Sequence, residues 1–121
     1  MNILVVDDNA MNVELFRDVL ESDGHEVSVA RDGVTGLDRA LGGRFDLMIL
    51  DIQMPGLDGH AVCRTLRERG VRGRIVALSS SAMPDQVTRG MDAGFDAYLT
   101  KPISPAALKE AVRVHGGTRG V

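Results

Sequence analysis

Five short runs of Val, Ile, Leu and Ala alternate along this chain with segments of helical length, and that alternation restricts the fold more than any other feature. The runs are Ile3–Val6, Val27–Ala30, Leu47–Leu50, Ile75–Leu78 and Ala97–Leu99. Three are nearly continuous in apolar residues, as strands covered on both faces are. The intervening segments carry apolar stripes at helical spacing: Leu15, Phe16, Val19 and Leu20; Val34, Leu37 and Leu41; Ala61, Val62, Thr65 and Leu66; Leu108, Ala111 and Val112. Each stripe predicts one helix face turned to a core. The weakest helix is Pro84 to Ala93, with only Val87 and Met91 as a stripe and Gly90 inside it. Asp32, Asp58 and Ser104 stand as N-caps, and Pro105 follows at a first helical position, where its missing N–H costs nothing. Gly24, Gly42, Gly70 and Gly94 stand where helices should stop. A strand–helix unit repeated five times predicts an α/β fold with parallel strands and right-handed crossovers.

Size and composition narrow the function. The chain has 121 residues, 44% hydrophobic and 26% charged, which predicts one globular domain over residues 1–115 and a flexible tail over 116–121. Net charge is −3, which argues against a general nucleic-acid or membrane binder. One cysteine excludes an internal disulfide and suits a reducing cytoplasm. No apolar run approaches the roughly 20 residues of a membrane-spanning helix, and no basic leader precedes the first strand.

The polar residues gather at one end of the expected sheet. Asp7 and Asp8 follow the first strand, Asp51 the third, Ser79 the fourth and Lys101 the fifth. In an open parallel sheet, ligands bind at the carboxyl ends of strands, where the strand order reverses. With order 2-1-3-4-5, Asp7, Asp8 and Asp51 meet in one cleft. Such carboxylates repel unless one is protonated or a cation neutralises them. Oxygen-only ligands select a hard ion such as Mg2+. A cation, the Lys101 ammonium and the Ser79 hydroxyl around Asp51 would cage a phosphoryl group on that carboxylate, with Asp51 the nucleophile. A single Asp after a strand is ordinarily a turn former; placement on four strand ends favours chemistry.

At these positions the chain resembles the receiver domains of two-component response regulators. The matching stretches are Leu4-Val5-Val6-Asp7-Asp8-Asn9, Asp46 to Gly59, Ile75 to Ser79, and Asp96-Ala97-Tyr98-Leu99-Thr100-Lys101-Pro102-Ile103. With Asn12 and Leu15, the opening looks most like receivers of hybrid kinases and of stand-alone cell-cycle regulators. The resemblance implies a flavodoxin-like doubly wound sheet of order 2-1-3-4-5. It implies that Asp51 accepts phosphate from a phosphohistidine on a histidine kinase or histidine phosphotransfer protein. It implies Mg2+ on Asp8, Asp51 and the Gln53 backbone carbonyl, with Asp7 acting through water. Lys101 would pair with a phosphoryl oxygen, Ser79 and Tyr98 would form the switch, and the Lys101–Pro102 peptide would be cis. Gln53 and Ser81 would tune dephosphorylation. A downstream protein partner would dock on the face of the fourth helix, fifth strand and fifth helix, and a phosphorylation-dependent homodimer is a further expectation. The chain departs from the family in having Ser79 where Thr is usual and Ser80 where Ala is usual.

Two other readings compete. A Mg2+-dependent aspartyl phosphatase of the haloacid-dehalogenase type needs a second acid two residues after Asp51, where Gln53 stands. A pseudo-receiver that only docks would not require the full set Asp7, Asp8, Asp51, Ser79 and Lys101. A nucleotide binder lacks its phosphate loop. His25, His60 and His115 read as surface residues, and Cys63 as a packing residue. Arg64, Arg67, Arg69, Arg72 and Arg74 read as a solvated basic face.

Overall fold

In the computed structural model, which describes residues 1–81 and 83–116, strands and helices alternate along the whole chain. They are β1 (Asn2–Val6), α1 (Ala10–Ser22), β2 (Glu26–Ala30), α2 (Gly33–Gly42), β3 (Leu47–Asp51), α3 (Gly59–Glu68), β4 (Arg74–Ser79), α4 (Pro84–Ala93), β5 (Ala97–Thr100) and α5 (Pro105–His115). The strands form one parallel sheet of order β2-β1-β3-β4-β5. The chain runs outward from β1 to β2, then returns across β1 to β3, which creates the expected reversal between β1 and β3.

Alternation along each strand explains why the apolar runs are continuous. Leu4, Val6, Met48, Leu50, Ile75 and Ala77 face one layer, where Ala40, Val62 and Leu66 close the core. Ile3, Val5, Leu47, Ile49, Val76 and Leu78 face the other, against Phe16 and Leu20 of α1 and Leu108 and Val112 of α5.

Helix faces depart from the stripes in an instructive way. The α3 stripe turns inward through Val62 and Leu66, joined by Cys63, and α5 buries Leu108, Ala111 and Val112 as expected. In α1 the buried set is Val13, Phe16 and Leu20, and Leu15 is exposed. In α2 the buried residues are Gly33, Gly36 and Ala40, while Val34 and Leu41 point outward. The cause is close approach: a Cβ at Gly36 would stand 2.8 Å from both γ-carbons of Val6. Only a small residue fits at this contact with the sheet, so of the stripe Leu37 alone packs against the core, and Val34 and Leu41 mark the wrong face. The same holds in α4, where Gly90 and Ala93 are buried and Met91 is exposed.

Caps fix the helix ends. Asp32 accepts from the Thr35 N–H at 2.7 Å, Asp58 from Ala61 at 2.9 Å and Ser104 from Ala107 at 3.1 Å. Gly94 ends α4 in the left-handed region, with φ 111°. Gly116 caps α5, and the rest of the expected tail, residues 117–121, lies outside the described residues.

The basic run is not one solvated face. Arg67 donates to the carbonyls of Val71, Gly73 and Gly94 and to Asp96. Arg74 also stands 3.7 Å from Asp96. Arg64, Arg69 and Arg72 are exposed, as the basic-face reading expects. Nor is His60 a plain surface residue: it is half-buried, its buried Nε2 has no hydrogen-bond partner among the described residues, and its ring stands edge-on to Phe95. No helix among the described residues is long and apolar enough to cross a membrane.

Candidate functional site

The sheet register sets the site. Val6 of β1 is paired with Leu50 of β3, so the next residues, Asp7 and Asp51, emerge side by side. Asp7 is fully buried. Its Oδ1 accepts from the Asn9 N–H at 2.9 Å, and its Oδ2 accepts from Asn12 Nδ2 at 3.4 Å. Asn9 also caps α1, accepting from the N–H groups of Met11 and Asn12. One short turn therefore starts the helix and fixes the first acid. Neither asparagine stood out in the sequence as a support for the site, although a cap residue directly after a strand is a readable signal. Asp8, one residue on, is exposed.

Asp51 ends β3 and is 2% exposed. The Gln53 N–H donates to its Oδ1 at 3.0 Å. From the end of β5, Lys101 extends its Nζ to within 3.0 Å of Asp51 Oδ2 and 3.2 Å of Asp7 Oδ2. The Lys101 N–H donates to the Ser79 carbonyl at 2.7 Å, which ties the β5 exit to the β4 tip. The Lys101–Pro102 peptide is cis. Ser79 is buried, and its Oγ accepts from the Ser81 N–H at 3.1 Å. The Tyr98 hydroxyl donates to the Ser81 carbonyl at 3.0 Å. Gln53 is exposed, and its side-chain carbonyl accepts from the Ser80 hydroxyl at 2.8 Å.

Electrostatics follow from this packing. Burial lifts the Asp51 carboxyl above its ordinary range; the hydrogen bonds from Lys101 and Gln53 oppose this, and the Asp7 charge adds to it. Burial pulls Lys101 down, but its hydrogen bond to Asp51 and the charges of Asp7 and Asp51 outweigh this, so its net shift is upward. Lys101 stays protonated. Carboxylate oxygens of Asp7, Asp8 and Asp51 lie within 4.8 Å of one another. Ionised, these acids exceed the single ammonium, and every donor is oxygen. That set fits a hard divalent cation. The sequence-predicted residues Asp7, Asp8, Asp51 and Lys101 are thus brought together. Ser79 stands at the adjoining strand tip, and Tyr98 reaches it through Ser81.

The fold and the acid cluster define a doubly wound α/β domain with a cation-suited cleft where its strand order reverses, and the comparisons identify its family. The model of the response regulator receiver domain matches residues 3–113. The chain belongs to that family and is a receiver domain of two-component signalling. It is 41% identical over 113 residues to the response regulator MprA of Mycobacterium avium, covering 93% of this chain and 50% of that protein. It is 33% identical over 115 residues to the sensor histidine kinase RcsC of Salmonella typhi, covering 95% of this chain and 12% of that protein. The chain thus spans half or less of these relatives. Among solved structures, chemotaxis protein CheY4 of Vibrio cholerae superimposes with a TM-score of 0.90 at 28% identity, covering 94% of this chain and 97% of that one. The receiver domain of the Pseudomonas aeruginosa sensor histidine kinase PA1611, which has a magnesium ion coordinated in its active-site cleft, superimposes with a TM-score of 0.87 at 30% identity, covering 97% and 98%.

Proposed function

We propose that this domain accepts a phosphoryl group on Asp51 from a phosphohistidine of a histidine kinase or phosphotransfer protein. The observation that carries this is the Lys101 ammonium held between two buried carboxylates, with a third acid within 4.8 Å. A carboxylate oxygen of Asp51 attacks phosphorus, the P–N bond breaks, and the imidazole leaves with the electron pair. Lys101 then exchanges its contact with Asp51 for one with a phosphoryl oxygen. Asp7, Asp8, Asp51 and the Gln53 carbonyl would hold Mg2+, which supplies charge neutralisation for the transferred oxygens. Asp7 orients the cluster through its bonds to Asn9 and Asn12. Gln53 and Ser81 flank the acceptor and tune the rate at which water removes the group.

The added charge, roughly −1.5 to −2, becomes a signal through Ser79 and Tyr98. A phosphoryl group draws the Ser79 hydroxyl away from the Ser81 N–H. Ser81 also receives the Tyr98 hydroxyl, so the two residues share one loop. The Tyr98 ring lies against α4, where a Cβ at Gly90 would stand 3.1 Å from it. Among the described residues no side chain caps the α4 N-terminus, so that end lacks one of the usual local anchors. The partner face is therefore α4, β5 and α5, for a downstream protein or a second phosphorylated copy. The deciding experiment incubates the protein with acetyl phosphate and Mg2+ and weighs it, with Asp51→Asn as control. A phosphoryl adduct on the wild type and none on the variant is expected; no adduct on either makes it a docking module only.

A further inference from the structure

We propose that Ser80 is a positioning residue that latches Gln53 across the mouth of the Asp51 site and slows the entry of water, an inference that rests on the phosphoacceptor reading above. The Ser80 hydroxyl donates to the Gln53 side-chain carbonyl at 2.8 Å, joining the loops after β3 and β4. Each end of this bridge is anchored at the reacting centre. The Gln53 N–H donates to Asp51 Oδ1 at 3.0 Å. Ser80 directly follows Ser79, whose carbonyl accepts from the Lys101 N–H at 2.7 Å. Asp51 is only 2% exposed although it ends a strand, while Gln53 and Ser80 are both exposed. The bridge therefore forms the rim between the acceptor carboxylate and solvent.

The chemistry makes that rim consequential. In hydrolysis the water oxygen bonds to phosphorus and the bond from phosphorus to the Asp51 oxygen breaks. Asp51 leaves as a carboxylate, and a proton passes from the attacking water to solvent. The sheet and Lys101 close the inner side, so water enters past the rim, opposite the breaking bond. With its carbonyl engaged by Ser80, the Gln53 side chain is held over that entrance instead of sweeping clear of it. A small phosphoryl donor must pass the same way, so the latch slows both directions of traffic at Asp51.

The test compares Ser80→Ala, Ser80→Thr, Ser80→Val, Gln53→Ala and the Ser80→Ala/Gln53→Ala double variant with the wild type. Phosphoryl loss from Asp51 is followed in the presence of Mg2+, and phosphoryl gain is followed with phosphoramidate as donor. Ala and Val at position 80 should speed both steps by roughly two- to tenfold, the range that one exposed hydrogen bond can supply. Thr, which keeps the hydroxyl, should stay near the wild type, and the double variant should be no faster than either single one. Equal rates for Val and Thr, additive effects, or slower hydrolysis in Ser80→Ala would overturn the latch. A second readout needs no phosphate: the Gln53 side-chain amide resonances of the free protein should move toward free-glutamine positions in Ser80→Ala. Free-glutamine positions already present in the wild type refute the latch while leaving Asp51 as acceptor. A wild type that gains no phosphate from any donor removes the acceptor reading, and the gate with it.

Discussion

Arg67 Nη2 lies 2.8 Å from Asp96 Oδ2, a bond that clamps the α3 C-terminal turn to the residue before β5. The same guanidinium satisfies the carbonyls of Val71, Gly73 and Gly94, and Asp96 Oδ2 also accepts from the Ile75 N–H at 2.9 Å. One planar fork thus holds the loop into β4, the β4 start and the α4 end together. Removing it takes a donor from three carbonyls, while Asp96 keeps Arg74 and the Ile75 N–H. Arg67→Ala should destabilise the domain by about 2–3 kcal/mol, read as a lower urea midpoint. Lys, with a point charge instead of a fork, should recover only part of the loss. A variant within about 0.5 kcal/mol of the wild type would show the fork to be incidental.

Charge imbalance at the site predicts that one substitution raises stability without metal and blunts the response to metal. In the wild type, Asp7 and Asp51 compete for one ammonium. Asp51→Asn should raise the melting temperature in the presence of a chelator, by about 4 °C, the displacement that ~1 kcal/mol produces in a domain of this size. Mg2+ at about a hundred times its dissociation constant should stabilise the wild type by about 2.7 kcal/mol and the variant by much less. Calorimetry with and without chelator checks both. Equal metal responses in the two proteins would place the ion elsewhere.

Cys63 should be inert until the domain opens. It is fully buried, and burial pushes its thiol up to about 11. The thiolate is the reactive species, so little of it exists at neutral pH. Labelling with a thiol-specific alkylating agent should track global unfolding in urea. Fast labelling of the native protein would mean that α3 opens by itself.

His60 gives stability a pH dependence of known sign. Burial holds its imidazole below the ordinary 6.5; the Asp58 charge opposes this, and the charges of Arg89 and Arg64 add to it. As pH falls, the unfolded chain takes up this proton before the folded one. The contribution is therefore present above pH 6.5 and lost as pH drops through the lower folded value. His60→Phe should flatten the urea-midpoint profile between about pH 7 and pH 5. Parallel profiles for the two proteins would assign the slope to other groups.

The sheet and the acid cluster were legible in the sequence because both follow from period. Strand runs end at definite residues, and Asp7, Asp51 and Lys101 stand just at or past those ends. The caps Asp32, Asp58 and Ser104 were legible for the same local reason. What escaped notice was set by tertiary approach. Gly36 faces inward because its helix comes too close to Val6 for a side chain, and Gly90 sits tightly against the Tyr98 ring. Arg67 looked like one of several surface arginines, since nothing local indicates that Asp96 and three carbonyls converge on it. The Ser80–Gln53 bond was equally invisible, as it joins residues 27 positions apart.

Assembly of the site from the tips of β1, β3 and β5 also makes it a fold sensor. No fragment carrying one motif can reproduce the cluster, because Asp7, Asp51 and Lys101 meet only when the crossovers are complete. On the phosphoacceptor reading, a partially folded chain would neither hold the ion nor take the phosphoryl group. Structural integrity and the proposed chemistry therefore rest on the same few atoms, so that loss of the crossovers dismantles the site at once.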